Sequence, residues 1–287
     1  MVKDIKKKVG SMGKMQIEKF IDNIDNITDL SEIESRCKQE KSYIDANYST
    51  LGSRKYTFTQ YRNAVKNSAL KNSSKKVVFD ILKLNTQETL SYKEDYKQKV
   101  KQEQNNLKLI IDYQGYIAKA ESLIRTNHFI SSVLGFAALT GRRVAEIACS
   151  AKFQLHSPAH LMFAGQLKTK GRGDIGSYLV PCLTSPIEVI TEFKRFRKNF
   201  PRYIDDVRTF HNNNSKDLSV QAKKHFSDYV EGIVTPKDLR AIYATIACKT
   251  IKENFRQSEQ SYIADILGHD ENDLNTCNSY IDYKIKD

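Results

Sequence analysis

Residues 127–151 read NHFISSVLGFAALTGRRVAEIACSA. The first part is apolar over a broad face, so it reads as a helix buried inside a domain and ending at Thr140-Gly141. A second helix, RVAEIACSA, opens directly after it. The helix dipole disfavours an arginine at a helix start. Arg142 and Arg143 are easier to understand there if they face an anion. The plainer alternative is a surface pair neutralised by Glu146.

Downstream, LMFAGQLK (161–168), TKGRGDIG and SYLVPCL read as two strands around a Gly-rich turn, a β-hairpin. Strand alternation would put Lys168 on the face of Met162, Ala164 and Gln166, at the edge of that turn. Helices and breaks then alternate: PIEVITEFKRFRK, VQAKKHFSDYVEG, PKDLRAIYATIACKTI, SYIADILGHD and a short last helix near NTCNSYIDY. Upstream, NLKLIIDYQGYIAKAESLIR (106–125) reads as an amphipathic helix. The first hundred residues are helical and basic, with Ile17, Phe20, Ile21, Ile24 and Ile27 near helical spacing and Asp29 or Ser31 as the next N-cap. Residues 91–106 are a polar linker or a solvated helix. These readings give a helical, basic domain over 1–104 and a second domain over 105–287. The fold class is mainly α with a small antiparallel β-sheet (α+β).

Composition narrows the function. The 287 residues carry 46 Lys+Arg against 34 Asp+Glu, a formal +12 that attracts polyanions, nucleic acid first. No run approaches the roughly 18 apolar residues of a membrane span, and no apolar core follows the basic N-terminus as in a secretory signal. The five cysteines are scattered, with no CxxC, which fits a reducing cytoplasm rather than a disulfide framework or zinc knuckle. There is no HExxH, no phosphate-binding GxxxxGK[ST] and no GxGxxG, so neither a metal nor a nucleotide cofactor is expected. In GSRKYTFTQYRNAVKN (52–67), Arg54, Lys55, Arg62 and Lys66 lie among Tyr56, Phe58 and Tyr61, a mixture suited to tracking a phosphate backbone or simply to a solvated helix face.

Five further pieces carry chemistry as a set: Thr140-Gly141-Arg142-Arg143, Lys168, Lys237-Asp238-Leu239-Arg240, Leu267-Gly268-His269 and Tyr280. Thr235 as N-cap and Pro236 as first helical residue put Lys237 and Arg240 on one face of a first turn, where free N–H groups also favour phosphate. Gly268 reads as the residue closing a helix, with His269 next. Tyr280 taken alone could be packing, and Tyr283 could share its helical face. Together they are what a metal-free attack on a phosphodiester needs. A tyrosine oxygen attacks phosphorus, cations stabilise the growing charge, and a Lys or His protonates the departing 5′ oxygen.

On these residues the sequence resembles the tyrosine recombinases over about 125–285. TGRRVAEI resembles their first arginine box with Arg143 in its slot, Lys168 their hairpin lysine, KDLR their HxxR box, LGH their second histidine box, and Tyr280 their nucleophile. Two features, Lys237 in the histidine slot and an interval from His269 to Tyr280 two residues longer than usual, are similar to the hairpin telomere resolvases (protelomerases). At the integrase interval the nucleophile would fall on Asn278. The resemblance implies a two-lobed clamp around duplex DNA, with catalytic residues Arg143, Lys168, Lys237, Arg240, His269 and Tyr280. It implies a homodimer that cuts both strands of an inverted repeat through 3′-phosphotyrosine bonds and seals hairpin ends without metal or ATP. The expected DNA contacts are Arg54, Lys55, Arg62, Lys66, Arg142, Lys170 and Arg172. The expected setting is the nucleoid-associated cytoplasm, the gene bacterial or phage-borne. The alternatives are a conventional integrase exchanging strands between duplexes, and a DNA-binding protein that kept the fold without the activity.

Overall fold

The computed structural model describes residues 15–167, 176–252, 256–269 and 280–286. The chain divides into two compact units, Met1–Lys99 and Val100–Asp287, each with its own apolar core.

The first unit is helical: α1 (15–25), α2 (Leu30–Asn47), α3 (Leu51–Lys66), α4 (Asn72–Ile81) and most of α5 (Thr86–Asn105). Apolar side chains recur at helical spacing and close one core: Phe20 and Ile24, then Ile33, Cys37 and Ile44, then Phe58, Tyr61 and Val65, then Val78 and Leu82. Side chains stop the helix starts from fraying. Asp29 accepts from the Ser31 amide (2.9 Å), Thr50 from the Ser53 amide (3.2 Å), and Asn85 and Glu88 cap each other reciprocally (2.9 and 2.8 Å). Residues 91–105 are thus helix, largely exposed.

The second unit is built around α7 (Phe129–Thr140), buried from Ile130 to Thr140. Packed against it are α6 (Tyr113–Ile124), α8 (Pro186–Asn199), α9 (Val207–Phe226) and α10 (Asp238–Thr250), with α11 (Glu259–Leu267) against α10. The hairpin strands β3 (His160–Ala164) and β4 (Tyr178–Pro181) form an antiparallel sheet with β2 (Lys152–Leu155). In its register Phe153, Phe163 and Tyr178 fall in one row, and their rings touch, Phe153 tilted against Phe163 (centroids 5.6 Å apart) and Phe163 edge on to Tyr178 (5.5 Å).

Four local readings need correction. Residues 108–110 are a strand, β1 (Lys108–Ile110), pairing in parallel with β5 (Tyr283–Ile285), and α6 begins only at Tyr113. Short apolar runs such as LKLII do not by themselves distinguish strand from buried helix, and the partner that decides lies at the other end of the unit. Tyr280 and Tyr283 share no helical face, because Tyr280 is in 3-10 conformation and Tyr283 in β5; residues 275–279 of the expected last helix lie outside the described residues. α9 starts at Val207 instead of Val220, with Asp206 accepting from the Thr209 amide (3.0 Å). The helix after TGRR widens into a π turn, Glu146–Ser150, closed by the Ala151 amide on the Glu146 carbonyl (2.7 Å). Such turns displace side chains from the regular helical register and often mark functional sites.

Candidate active site

Three chain turns meet in the second unit: the exit of α7, the start of α10 and the end of α11. The exit of α7 depends on Gly141, whose φ of 66° is costly for any residue with a Cβ. A Cβ there would also stand 2.1 Å from the Tyr243 ring, so only glycine fits. The Gly141 carbonyl accepts from Arg240 Nη1 (2.6 Å), which ties α7 to α10.

Arg240 is 4% exposed. Its Nη2 donates to the Leu267 carbonyl at the end of α11 (2.5 Å), while Nε has no hydrogen-bond partner among the described residues. The guanidinium lies 5.4 Å from the centre of the Tyr280 ring. Its pKa is pushed down to about 10, first by burial and then by Arg142 and Arg143, so it stays charged at neutral pH. A buried cation with an unfilled donor, held beside two like charges, favours an anion.

Arg143 follows the turn. Its backbone N–H and Nη1 both donate to Glu146 (2.9 and 2.6 Å), which is fully buried. Burial would lower the Arg143 pKa, but Glu146, then Tyr280 and Tyr178, outweigh it and hold it high. Burial would raise the Glu146 carboxyl, but Arg240, Arg143 and Arg142 together hold it below the usual carboxylate range. β3 ends at Ala164, short of the strand expected to run to Lys168, and Glu146 also accepts from the Leu167 amide (3.3 Å), so the same carboxylate fixes the segment that follows the strand. Among the described residues, three guanidiniums surround this one carboxylate, so positive charge is in excess. Glu146, seen in the sequence only as a possible surface partner, is the buried hub of the arginine cluster. Its position three residues after Arg143 was the available signal.

The end of α11 closes on Gly268, with φ of 64°. The Gly268 amide bonds the Asp265 carbonyl (3.0 Å) and the His269 amide the Ala264 carbonyl (2.9 Å), a Schellman closure that holds the His269 backbone. The His269 ring meets Tyr280 edge on, centroids 5.2 Å apart. Arg240, His269 and Tyr280 therefore come together, with Arg143 close enough to sense the phenol. Tyr283 is 3% exposed in β5, and burial, then Asp238 and Asp282, push its hydroxyl well above the ordinary phenol range. That makes it a poor nucleophile beside Tyr280.

Lys237 is exposed at the cap of α10, three residues before Arg240. The regular helix starts at Asp238 and is capped by Lys237 instead of Thr235. The Asp238 carboxylate reaches back to the Thr235 amide (2.8 Å) and hydroxyl (2.6 Å), which makes the preceding turn tight. Lys168, Lys170 and Arg172 lie outside the described residues.

Two of the expected DNA contacts hold the fold together. Arg142 is 1% exposed: Nε donates to the Thr140 carbonyl (3.1 Å), Nη1 to the Tyr178 hydroxyl and Nη2 to the Ile266 carbonyl (2.5 Å). Nothing of that guanidinium is left for a duplex. Arg54 donates to the Tyr48 carbonyl (2.8 Å) and pairs with Glu88 (3.4 Å) and Asp45 (3.8 Å), tying α2, α3 and α5 together. Lys55 and Arg62 line a cavity of about 210 Å³ with Lys83, Lys93, Thr89 and Tyr92, and Lys55 lies 4.2 Å above the Tyr92 ring. Lys66 is exposed at the end of α3. Among the described residues there is no group of His, Cys, Asp and Glu that could hold a metal ion, and no helix long and apolar enough to cross a membrane.

Residues 106–283 match the family described as the telomere resolvase ResT/TelK catalytic domain. No curated protein sequence matches the chain. Among solved structures, the fold is similar to that of protelomerase TelA covalently complexed with substrate DNA (TM-score 0.85, 22% identity, covering 96% of this chain and 88% of the other). It is similar to a TelA mutant complexed with DNA hairpin product (TM-score 0.84, 22% identity, 96% and 88%). It is also similar to protelomerase TelK complexed with substrate DNA (TM-score 0.61, 19% identity, 96% and 58%).

Proposed function

Since the chain belongs to the telomere resolvase family, through its ResT/TelK catalytic domain, we propose that it resolves replicated DNA ends. It binds double-stranded DNA at an inverted repeat as a homodimer, cuts both strands and rejoins each as a covalently closed hairpin. It works in the cytoplasm, at the nucleoid of a bacterium or phage-infected cell. Residues 1–104 hold the DNA and residues 105–287 cut it, a division that falls close to the boundary between Lys99 and Val100.

The observation that carries this reading is the convergence of Arg240, His269 and Tyr280 in a pocket with excess positive charge. The Tyr280 oxygen attacks the scissile phosphorus. The Tyr280 O–P bond forms, the bond from phosphorus to the 5′ oxygen breaks, and the tyrosine proton passes to the surroundings. The departing 5′ oxygen takes a proton from Lys168, Lys237 or His269. Arg143 and Arg240 stabilise the charge that builds on the non-bridging oxygens, each such donor being worth about 2.7–4 kcal/mol. The strand break is stored as a phosphotyrosine ester, so the bond energy is conserved. In the second half the 5′-hydroxyl of the opposite strand attacks that phosphorus, the Tyr280 O–P bond breaks, and the tyrosine recovers its proton.

The test is incubation with inverted-repeat duplex in EDTA, followed by denaturing electrophoresis. Snap-back hairpin products and a covalent protein–DNA adduct are expected. Rejoined or exchanged duplexes without hairpins would mean conventional strand exchange, and binding without any adduct would mean a non-catalytic protein.

A further inference from the structure

We infer that Arg142, Tyr178 and Gln166 form a latch that positions His269 for the reaction. This rests on the reading of His269 as a group at the reacting phosphate.

The last carbonyls of a helix have no partner within it, and a mobile last turn would carry its successor with it. In α11 three consecutive carbonyls are held from outside: Ile266 by Arg142 Nη2 (2.5 Å), Leu267 by Arg240 Nη2 (2.5 Å) and Gly268 by Gln166 Nε2 (3.0 Å). His269 is the next residue. Arg240 belongs to the site already described, whereas Arg142 and Gln166 spend these bonds on the carbonyls of the α11 terminus. They are joined through Tyr178, whose hydroxyl accepts from Arg142 Nη1 and donates to Gln166 Oε1 (2.6 Å).

The latch is rigid for identifiable reasons. The Arg142 guanidinium lies over the rings of Phe163 (4.9 Å) and Tyr178 (5.3 Å), so the aromatic row of the sheet is its floor. A cation at a helix C-terminus also complements the dipole there. The latch presses directly on the turn it holds, since a Cβ on Gly268 would stand 2.4 Å from Gln166 Oε1 and 2.5 Å from the Tyr178 hydroxyl. Buried, with each of its three nitrogens bonded inside the protein, Arg142 is thus a positioning residue that acts through the α11 terminus.

The experiment measures the single-turnover rate of covalent adduct formation by the full chain on inverted-repeat duplex. Tyr178→Phe and Gln166→Met, close in volume to the originals, are each made alone and in a His269→Ala background. A misplaced catalytic group costs up to about 100-fold, so each single variant is expected to slow the adduct by roughly 10–100-fold with DNA affinity within about twofold of the parent. In the His269→Ala background the same changes are expected to add less than about twofold, because the group they position is gone. Equal losses in both backgrounds would overturn the latch and leave the site reading intact. A His269→Ala chain as fast as the parent would instead remove His269 from the chemistry, and the latch with it. If Tyr178→Phe lowers the melting temperature, Gln166→Met, which keeps the hydroxyl bond to Arg142, carries the same comparison.

Discussion

Replacing Glu146 by Gln changes one oxygen to an amide and removes the carboxylate that faces Arg142, Arg143 and Arg240. Glutamine can keep one acceptor, toward the Leu167 or Arg143 amide, but it cannot accept at both oxygens as the carboxylate does (2.9, 2.6 and 3.3 Å). Breaking one partner of a buried ion pair typically costs about 3–5 kcal/mol. The retained acceptor and the partial exposure of Arg143 argue for the lower end, about 3 kcal/mol. For a unit the size of Val100–Asp287 that lowers the melting temperature by roughly 6–12 °C.

A dianion should offset this loss. Sulfate in the variant's pocket meets Arg143 and Arg240 without their counter-charge and is expected to raise its melting temperature more than the parent's. The pH dependence has a definite sign. The Glu146 carboxyl is held below its unfolded value, so its contribution is complete above the unfolded pKa, about 4.3, and is lost as pH falls through the folded value. The gap between parent and variant is therefore expected to be full at pH 7 and to shrink below about pH 4. Thermal melts followed by circular dichroism at several sulfate concentrations and pH values make the measurement. A variant melting within about 2 °C of the parent at pH 7, or one indifferent to sulfate, would refute the view of Glu146 as the counter-charge of an anion pocket.

Three other outcomes are expected. Tyr280→Phe should bind DNA like the parent and form no covalent adduct on a denaturing gel; adduct from that variant would point to another nucleophile despite the burial of Tyr283. Arg240→Lys keeps a positive charge but not the two carbonyl bonds that join α7 and α11 to α10, so adduct formation should fall by about 10²–10³-fold, as for loss of one transition-state donor. Lys55→Ala with Arg62→Ala should reduce the slope of log affinity against log salt by roughly 1.8 if each meets a phosphate. Arg54→Ala should instead leave the slope alone and lower the melting temperature, because its partners are Glu88, Asp45 and the Tyr48 carbonyl.

Much of the architecture was legible from local chemistry. The apolar face of residues 129–140, the glycine ending that helix and the hairpin after it are each decided by neighbours a few residues apart, as are the caps Asp29 and Gly268. The mostly helical fold with a small antiparallel sheet follows from such signals. So does the presence of cations at Arg143, Lys237 and Arg240, because side-chain identity and spacing are sequence properties.

What one chain position does to another far away was not legible. Strand β1 exists because Tyr283–Ile285 comes to lie beside it, and its own apolar run would suit a helix as well. Arg142 and Arg143 are adjacent and chemically identical, yet one is spent on Thr140, Tyr178 and Ile266 inside the protein while the other pairs with Glu146 at the pocket. Arg54 and Lys55 part in the same way. Whether a charged side chain meets solvent, substrate or a buried carbonyl depends on the direction its backbone gives it and on what packs there. Sequence sets the charge; only the folded surroundings set its partner.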